Sequence, residues 1–177
     1  MHKEIMDFLK DAKEASGLKN VAGMVVVELG SCDLNGTPRP LFAEALEYIG
    51  IDWRPGPGVD RLCLAHKTAI ESADIVICCQ MLEHDPYWIL TVLKACSLIR
   101  KNGGWFFCTW AGPGYVEHEL ETAPPDPDSP LPYYRNLSTE EVAQVVELAL
   151  DDCSIHTGYK RGTLDALMWV RVDRKQE

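Results

Sequence analysis

The feature that most constrains this chain is an apolar run that ends in an acidic residue and a glycine. The run Val25 to Leu29 contains Glu28, and Gly30 follows it directly. Such a run is typical of a strand buried in a parallel sheet, and glycine lets the next turn bring backbone amides close to a ligand. A second apolar run ends at Asp52. Because a carboxylate there can accept hydrogen bonds from ribose hydroxyls, the two segments predict a site for an adenosine-bearing cofactor.

The rest of the chain alternates apolar runs with helical periodicity, and this order predicts the fold. The expected elements are an N-terminal helix within 1–17, strands at 24–29, 48–52, 59–64, 74–79 and 105–110, helical segments at 41–46, 65–72, 86–101 and 138–150, and closing strands at 153–160 and 164–172. Strands that alternate with helices on short connections indicate an α/β fold. We therefore predict one domain over 1–177, with a doubly wound, mostly parallel seven-stranded sheet, helices on both faces and a C-terminal antiparallel hairpin.

One interval, residues 111–137, breaks this rhythm. It holds six of the chain's 11 prolines and has little apolar periodicity. Long loops in compact domains are often functional, so the interval is interpreted as a lid over an acceptor site. Its acidic residues, among them Glu117, Glu119 and Glu121, are more typical of a solvated loop than of a binding surface.

Composition excludes several classes of function. The net charge is -10 and no basic cluster is present, which argues against nucleic-acid binding. The seven cysteines are scattered without the paired spacing of a metal site, so we predict no metal and a reducing compartment. The sequence shows neither a signal peptide nor a membrane-length apolar run, which predicts a soluble, cytoplasmic protein. It specifies no oligomeric state.

Two further motifs narrow the interpretation. Gln80–His84 follows the strand at 74–79, and Leu98–Gly104 ends the helix at 86–101. These look like the "LEH" and "LkpGG" segments of class I S-adenosylmethionine-dependent methyltransferases, which the chain resembles over roughly its whole length. Residues 31–36, 55–60 and 133–137 further resemble small stand-alone bacterial or phage-type members of that family.

The resemblance implies an S-adenosyl-L-methionine site at the carboxyl edge of the sheet and methyl transfer to an oxygen or nitrogen of a small molecule. The residues implied to bind the cofactor are Glu28, Gly30, Ser31, Asp33, Asn35, Asp52, Trp53, Ala65, His66 and Gln80. Those implied to bind the acceptor are Tyr115, Tyr134 and Arg135. His118 and His84 are the candidate bases, because the intrinsic pKa of histidine lies near neutrality.

The chain departs from the family pattern at two places. Cys32 and Leu34 stand where the E-x-G-x-G-x-G motif has glycine, so we expect Gly36 to supply the missing backbone freedom. Leu64 stands where many relatives have an Asp that holds the adenine amino group, which leaves adenine to backbone groups or His66. Two alternatives stay open: a catalytically lapsed cofactor-binding protein, and an NAD-dependent oxidoreductase, which would predict a G-x-G-x-x-G motif that the sequence lacks.

Overall fold

The computed structural model describes residues 3–100, 103–117, 133–160 and 162–173. The helices are α1 (Lys3–Ala15), α2 (Trp88–Arg100) and α3 (Thr139–Ala149). The strands are β1 (Val25–Leu29), β2 (Glu47–Asp52), β3 (Arg61–Leu62), β4 (Ile75–Cys79), β5 (Gly104–Ala111), β6 (Cys153–Tyr159) and β7 (Asp165–Val172). Single 3₁₀ helices are formed by Arg39–Phe42, Ala65–Lys67 and Leu82–His84.

All seven strands form one sheet in the order β3-β2-β1-β4-β5-β7-β6. The strands β1 to β5 pair in parallel, whereas β7 is antiparallel to both β5 and β6. The chain therefore builds outward from β1 to β3 and then crosses to β4 on the other side. Crevices for ligands form where the strand order reverses in this way, at the carboxyl ends of β1 and β4. The predicted sheet, with its antiparallel ending, is confirmed.

Helices cover both faces of the sheet, as predicted. Alternation along β1 sends Val26 toward α1 and Val27 toward the face covered by α2 and α3. The inner face of α1 follows helical spacing, and its central residue Leu9 is 1% exposed. Burial of a side chain of this size contributes about 1.5–3 kcal/mol. Ser138 begins α3 with a capping box: its Oγ accepts a hydrogen bond from the Glu141 amide at 3.2 Å.

Two elements between β1 and β4, one helix and one strand, are shorter than predicted. The helical segment expected at 41–46 is instead the 3₁₀ helix Arg39–Phe42. It begins earlier than expected because proline in its first turn favours entry into a helix. It ends earlier because Leu46 N already donates to Met24 O at 2.9 Å. The strand expected at 59–64 is only the two-residue β3.

The prediction of a helix at 65–72 is likewise wrong beyond the first turn. The 3₁₀ helix Ala65–Lys67 ends at Thr68, whose ψ of 137° is extended. From there the chain is bound to α2 by its own backbone groups: Lys94 Nζ donates to Ile70 O at 2.9 Å, and Ala73 N donates to Leu98 O at 3.0 Å. Hydrogen bonding to α2 therefore replaces helical hydrogen bonding in this segment.

Among the described residues, no helix combines the length and the apolar character needed to cross a bilayer. Within the same residues, no group of three or more potential ligands could hold a metal ion. None of the seven cysteines forms a disulfide.

Candidate active site

A cleft of about 540 Å³ lies at the carboxyl ends of β1, β2 and β4. Its volume falls in the range of about 300–1,000 Å³ that small-molecule sites occupy. Of the predicted site residues, those that line it are Glu28, Gly30, Asn35, Asp52, Trp53, Ala65, Gln80, His84 and Tyr115. The fold thus brings together residues from distant parts of the chain.

The loop after β1 folds directly onto the end of β2. The amides of Gly30 and Ser31 both donate to Ile51 O, at 2.9 and 3.0 Å. Gly30 has a φ of 80°, and a Cβ at this position would lie 2.6 Å from Cγ of Met81. Glycine is therefore required here both by the left-handed backbone and by the close approach of Met81.

Asp52 holds the loops on both sides of the cleft edge through its two carboxylate oxygens. Its Oδ1 accepts a hydrogen bond from Arg54 N at 2.8 Å, which caps the turn after β2. Its Oδ2 accepts from Cys32 N at 3.0 Å, which fixes the loop after β1. Each carboxylate oxygen has a second lone pair, so Asp52 can still accept hydrogen bonds from a ligand in the cleft.

A second loop, residues 55–60, braces the first. Asp60 Oδ2 accepts hydrogen bonds from Gly50 N at 2.7 Å and from Arg39 Nη2 at 2.6 Å. Arg39 also donates to Gly58 O at 3.0 Å. Burial raises the pKa of Asp60, but these hydrogen bonds outweigh it, and the pKa is lower than its ordinary value. A Cβ on Gly50 would lie 2.0 Å from Gly58 O.

The loop after β1 carries larger side chains, Cys32 and Leu34, at the two positions where the motif that it resembles has glycine. Leu34 lines the cleft and is 59% exposed, so the size of its side chain is tolerated. Gly36 has a φ of 111°, as predicted, and its amide donates to Asp33 Oδ1 at 2.7 Å. Asp33 therefore acts within the loop, and neither it nor the buried Ser31 lines the cleft.

Glu28 lies at the bottom of the cleft and is 3% exposed. Its Oε2 accepts a hydrogen bond from Tyr48 Oη at 2.8 Å. Burial raises the pKa of Glu28 to about 7, against the smaller lowering effects of Tyr48 and Arg39. Near neutral pH the group can thus serve as either a donor or an acceptor of a hydrogen bond.

The side of the cleft next to β3 is largely apolar. Leu64 and Ala65 line it, together with Tyr87. His66 does not line the cleft; its ring centre lies 4.8 Å from that of Tyr87, which does. Tyr87 is held by its amide, which donates to Asp85 Oδ1 at 2.8 Å.

At the end of β4 the backbone turns within one residue. Gln80 has a φ of 53°, the one positive value among the described residues other than glycine. Its amide donates to Thr109 O at 2.7 Å and its Nε2 donates to Thr109 Oγ1 at 3.3 Å. The 3₁₀ helix Leu82–His84 follows this turn and carries the acidic end of the cleft.

Glu83, which the sequence analysis did not select, lines this end of the cleft and is 1% exposed. The amides of Glu83 itself and of Ala111 hydrogen-bond its carboxyl group, but Oε2 has no partner within the described part of the chain. Burial raises the pKa of Glu83 to about 7 in spite of those two amides. One signal was available: Glu83 is an acidic residue four positions after the buried strand β4, on the same side of the sheet as Glu28 and Asp52 at the ends of β1 and β2.

The predicted acceptor residues are divided between the cleft and its surroundings. Tyr115 lines the cleft, and the ring of Tyr134 meets that of His84 edge to face at 5.1 Å. Tyr134 itself does not line it, and neither does Arg135, whose guanidinium pairs with Glu141. His118 and the rest of the predicted lid at 118–132 lie outside the described residues.

No protein-family profile matches the chain, and no curated protein matches its sequence. Solved structures do match it. A 1,6-didemethyltoxoflavin-N1-methyltransferase from Burkholderia thailandensis, with 1,6-didemethyltoxoflavin and S-adenosylhomocysteine bound, is 15% identical with a TM-score of 0.65 and covers 97% of this chain and 80% of its own. The magnesium protoporphyrin IX methyltransferase of Synechocystis, with S-adenosylmethionine bound, is 14% identical with the same TM-score and coverages.

A third similar structure is an S-adenosylmethionine-dependent methyltransferase from Mesorhizobium loti. It is 15% identical with a TM-score of 0.64, and the match covers 91% of this chain and 96% of that one. Identities this low carry information about the fold rather than the substrate. This chain therefore has the fold of class I S-adenosylmethionine-dependent methyltransferases.

Proposed function

We propose that the protein is an S-adenosylmethionine-dependent methyltransferase acting on a small molecule. The observation that carries the proposal is the position of Asp52, which lines the cleft at the switch point of the sheet. Two proteins with this fold, from Burkholderia thailandensis and Synechocystis, were crystallised with S-adenosylhomocysteine or S-adenosylmethionine. We extend that ligand to this chain because its cleft offers suitable partners.

The residues of the cleft fit the groups of this cofactor. Asp52 would accept hydrogen bonds from the ribose hydroxyls, and the apolar Leu64 and Ala65 would contact the adenine. Glu28 would face the amino acid end of the cofactor. When bound, S-adenosylmethionine supplies a methyl group already activated by a sulfonium, so no protein nucleophile is required. The side chains of the cleft then act by orienting the acceptor and excluding water.

The charge of the cleft also favours this cofactor over a dinucleotide. The described part of the lining has four carboxyl groups (Glu28, Asp52, Glu83 and Asp85) and two basic side chains, Arg54 and His84. An acidic lining suits a cationic sulfonium and opposes a pyrophosphate. A pyrophosphate is usually bound at a helix N-terminus, whereas the connection from β1 to β2 has only the 3₁₀ helix Arg39–Phe42.

Calorimetry of Asp52 variants tests the proposal. The Asp52→Ala variant should bind S-adenosylmethionine at least about 1.5 kcal/mol more weakly, because a charged hydrogen-bond partner is lost. The Asp52→Asn variant, which keeps one carbonyl oxygen, should lose less. Asp151→Ala, an exposed aspartate beyond α3, is the matched control and should bind as the wild type does.

Three results would count against the proposal. The first is no heat with S-adenosylmethionine, and the second is binding of NAD alone. The third, unchanged affinity in a folded Asp52→Ala variant, would remove Asp52 from the site. If the cofactor binds, release of S-adenosylhomocysteine across a panel of small acceptors identifies the substrate and separates an active enzyme from a protein that only binds.

A further inference from the structure

Glu83 is the buried ionisable group whose environment the fold does not explain. A buried carboxylate is costly unless positive charges or several hydrogen-bond donors compensate it. Glu83 is 1% exposed, and its Oε2 has no hydrogen-bond partner within the described residues. No ion pair is formed by this carboxyl group among those residues either. Oε2 itself is withdrawn from solvent, but Glu83 is among the residues that line the cleft, so a ligand seated there lies next to this residue.

The groups around Glu83 add negative rather than positive charge. Asp165 at the start of β7 is 8% exposed and raises the pKa of Glu83 further. Toward the loops, Glu83 raises the pKa of both Tyr115 and Tyr134, although burial is the larger cause for each tyrosine. Glu117 also acts on Tyr134. On the same 3₁₀ helix, His84 is the neighbouring titratable group, and Asp85 follows it.

In the described part of the chain, no cationic side chain compensates the negative charge around Glu83. The amide of Arg135 donates to Glu83 O at 2.8 Å, but its guanidinium pairs with Glu141 on α3. Behind Glu83, the buried Cys78, Cys79 and Cys108 are thiols whose own pKa values are raised above the ordinary value, with Glu83 a minor cause. The space in front of Glu83 is therefore acidic and bordered by aromatic rings.

From this arrangement we infer that the methyl acceptor is an amine or another nitrogen base that enters as a cation, and that the Glu83 carboxylate removes its proton. The inference rests on the proposed function and adds the chemical class of the acceptor. An ammonium group would donate a hydrogen bond to the free Oε2 and neutralise a buried negative charge, whereas a carboxylic acid acceptor would be repelled.

The proton transfer is needed because an ammonium nitrogen has no free electron pair. Glu83 takes one N–H proton, which leaves a neutral amine with a lone pair. The N–C bond then forms as the C–S bond of the donor breaks, and the electron pair of that bond stays on sulfur as a neutral thioether. Glu83 returns its proton to water. A carboxyl group with a pKa of about 7 suits this step, because it is ionised yet basic near neutral pH.

A ligand series of matched shape tests the acceptor class without knowledge of the natural substrate. The protein is saturated with S-adenosylhomocysteine and titrated calorimetrically with benzylamine, benzyl alcohol and benzoate, since aromatic rings border the site. We expect benzylamine to bind at least about tenfold more tightly than benzyl alcohol, and benzoate to bind least. In Glu83→Gln, which keeps the shape and one oxygen acceptor, the preference for benzylamine should disappear.

The matched control is Glu71→Gln, which neutralises an exposed glutamate before β4 and should keep the wild-type preference. The pH dependence gives a second readout. Because Glu83 is protonated below about pH 7, wild-type affinity for benzylamine should fall several-fold between about pH 8 and about pH 6, and Glu83→Gln should show no such fall.

The outcomes separate the two proposals. If S-adenosylhomocysteine does not bind, the proposed function fails before the acceptor is tested. If it binds but the wild type prefers benzoate, shows no preference, or keeps its preference in Glu83→Gln, only the inference about the acceptor is overturned. Loss of S-adenosylhomocysteine binding in Glu83→Gln would also overturn it, because Glu83 would then serve the cofactor.

Discussion

The loops around β2 and the segment after β4 treat their carboxyl groups in opposite ways; Glu28 on β1 is buried like Glu83, but Tyr48 gives its carboxyl group a hydrogen bond. At the β1–β2 end, Asp52 accepts hydrogen bonds from two backbone amides, and Asp60 accepts from an amide and a guanidinium. At the β4–β5 end, Glu83 keeps an oxygen without a partner among the described residues. The first arrangement lowers the pKa of Asp60, whereas the second raises the pKa of Glu83 to about 7.

Under the proposed function, this difference separates two tasks of one site, binding of the cofactor and chemistry on the acceptor. A cofactor common to many enzymes can be bound by a preformed frame in which the protein satisfies most of its own polar groups. Chemistry on an acceptor requires a group whose hydrogen-bonding capacity and proton are still free to change. Residues that hold the frame should therefore matter for stability, and Glu83 should cost stability while it serves function.

The largest expected effect tests the rigidity of the frame that β2 and the 55–60 loop form. Gly50→Ala places a Cβ 2.0 Å from the backbone oxygen of Gly58, which cannot move aside as a flexible side chain could. We expect the free energy of unfolding to fall by about 3 kcal/mol or more, because β2 and the 55–60 loop must separate. Chemical denaturation measures this change.

Gly158→Ala is the matched control for Gly50→Ala. Gly158 also lies in a strand, but its nearest neighbour would be Cδ1 of Leu167 at 3.3 Å, the movable end of a side chain. The loss should be below about 1 kcal/mol. Equal losses of stability in both variants would show that β2 and the 55–60 loop are packed no more tightly than the edge strand β6.

A second experiment asks whether Glu83 lowers stability. Its pKa in the folded protein is about 7, above the ordinary 4.5. The protonated group is therefore favoured by folding, and this contribution is complete below the unfolded pKa and lost as the pH rises through about 7. At about pH 8, Glu83→Gln should be more stable than the wild type by on the order of 1–3 kcal/mol.

The gain should shrink toward zero near about pH 4, where the wild-type carboxyl group is protonated as well. Glu71→Gln should change the unfolding free energy little at either pH, since Glu71 is exposed. A Glu83→Gln variant that is less stable at about pH 8 would mean that the charge of Glu83 supports the fold, and the contrast between the two ends would be lost.

The smallest expected effect concerns Asp60. Asp60→Asn keeps an oxygen for Gly50 N but loses the charge that Arg39 binds, and the side chain of Asp60 is 45% exposed, so solvent screens the loss. We expect a decrease of about 0.5–1 kcal/mol near neutral pH. Because the pKa of Asp60 is lowered by folding, the difference should vanish as the pH falls through its folded value.

Asp151→Asn serves as the control for Asp60→Asn, because Asp151 is exposed beyond α3. Thermal unfolding at several pH values resolves shifts of this size. If both variants behave alike, Asp60 contributes nothing measurable to the frame.

The sheet could be predicted because its buried strands leave a strong pattern. Strands β4 and β5 are covered on both faces and therefore consist of continuous apolar runs. The rule that strand-end carboxylates face a ligand then pointed to Glu28 and Asp52. The short helical segments were not predictable in the same way. Apolar spacing cannot decide between a 3₁₀ turn and a longer helix when competing hydrogen bonds with α2, or with Met24 just before β1, set the outcome.

The end of the cleft after β4 was harder to predict, because the sequence does not show which of two neighbouring side chains is buried. The segment after β4 presents Glu83 and His84 side by side, and histidine was selected for its intrinsic pKa. In the folded chain Glu83 is the buried residue, whereas His84 is only half-buried. A single turn of 3₁₀ helix determines which of two neighbouring side chains is withdrawn from water, and sequence patterns of apolar residues carry no information at that scale.

The left-handed conformation of Gln80 has a consequence for how the two ends stay aligned. A non-glycine residue in this region of φ and ψ stores on the order of 1–3 kcal/mol of backbone strain, which the clamp on Thr109 must offset. Since the change of direction takes place at one residue that is bonded to β5, the 3₁₀ helix that follows is held in a fixed position relative to β4 and β5. Under the proposed function, exchange of side chains after Gln80 would then alter the choice of acceptor while the distance between donor and acceptor stays the same.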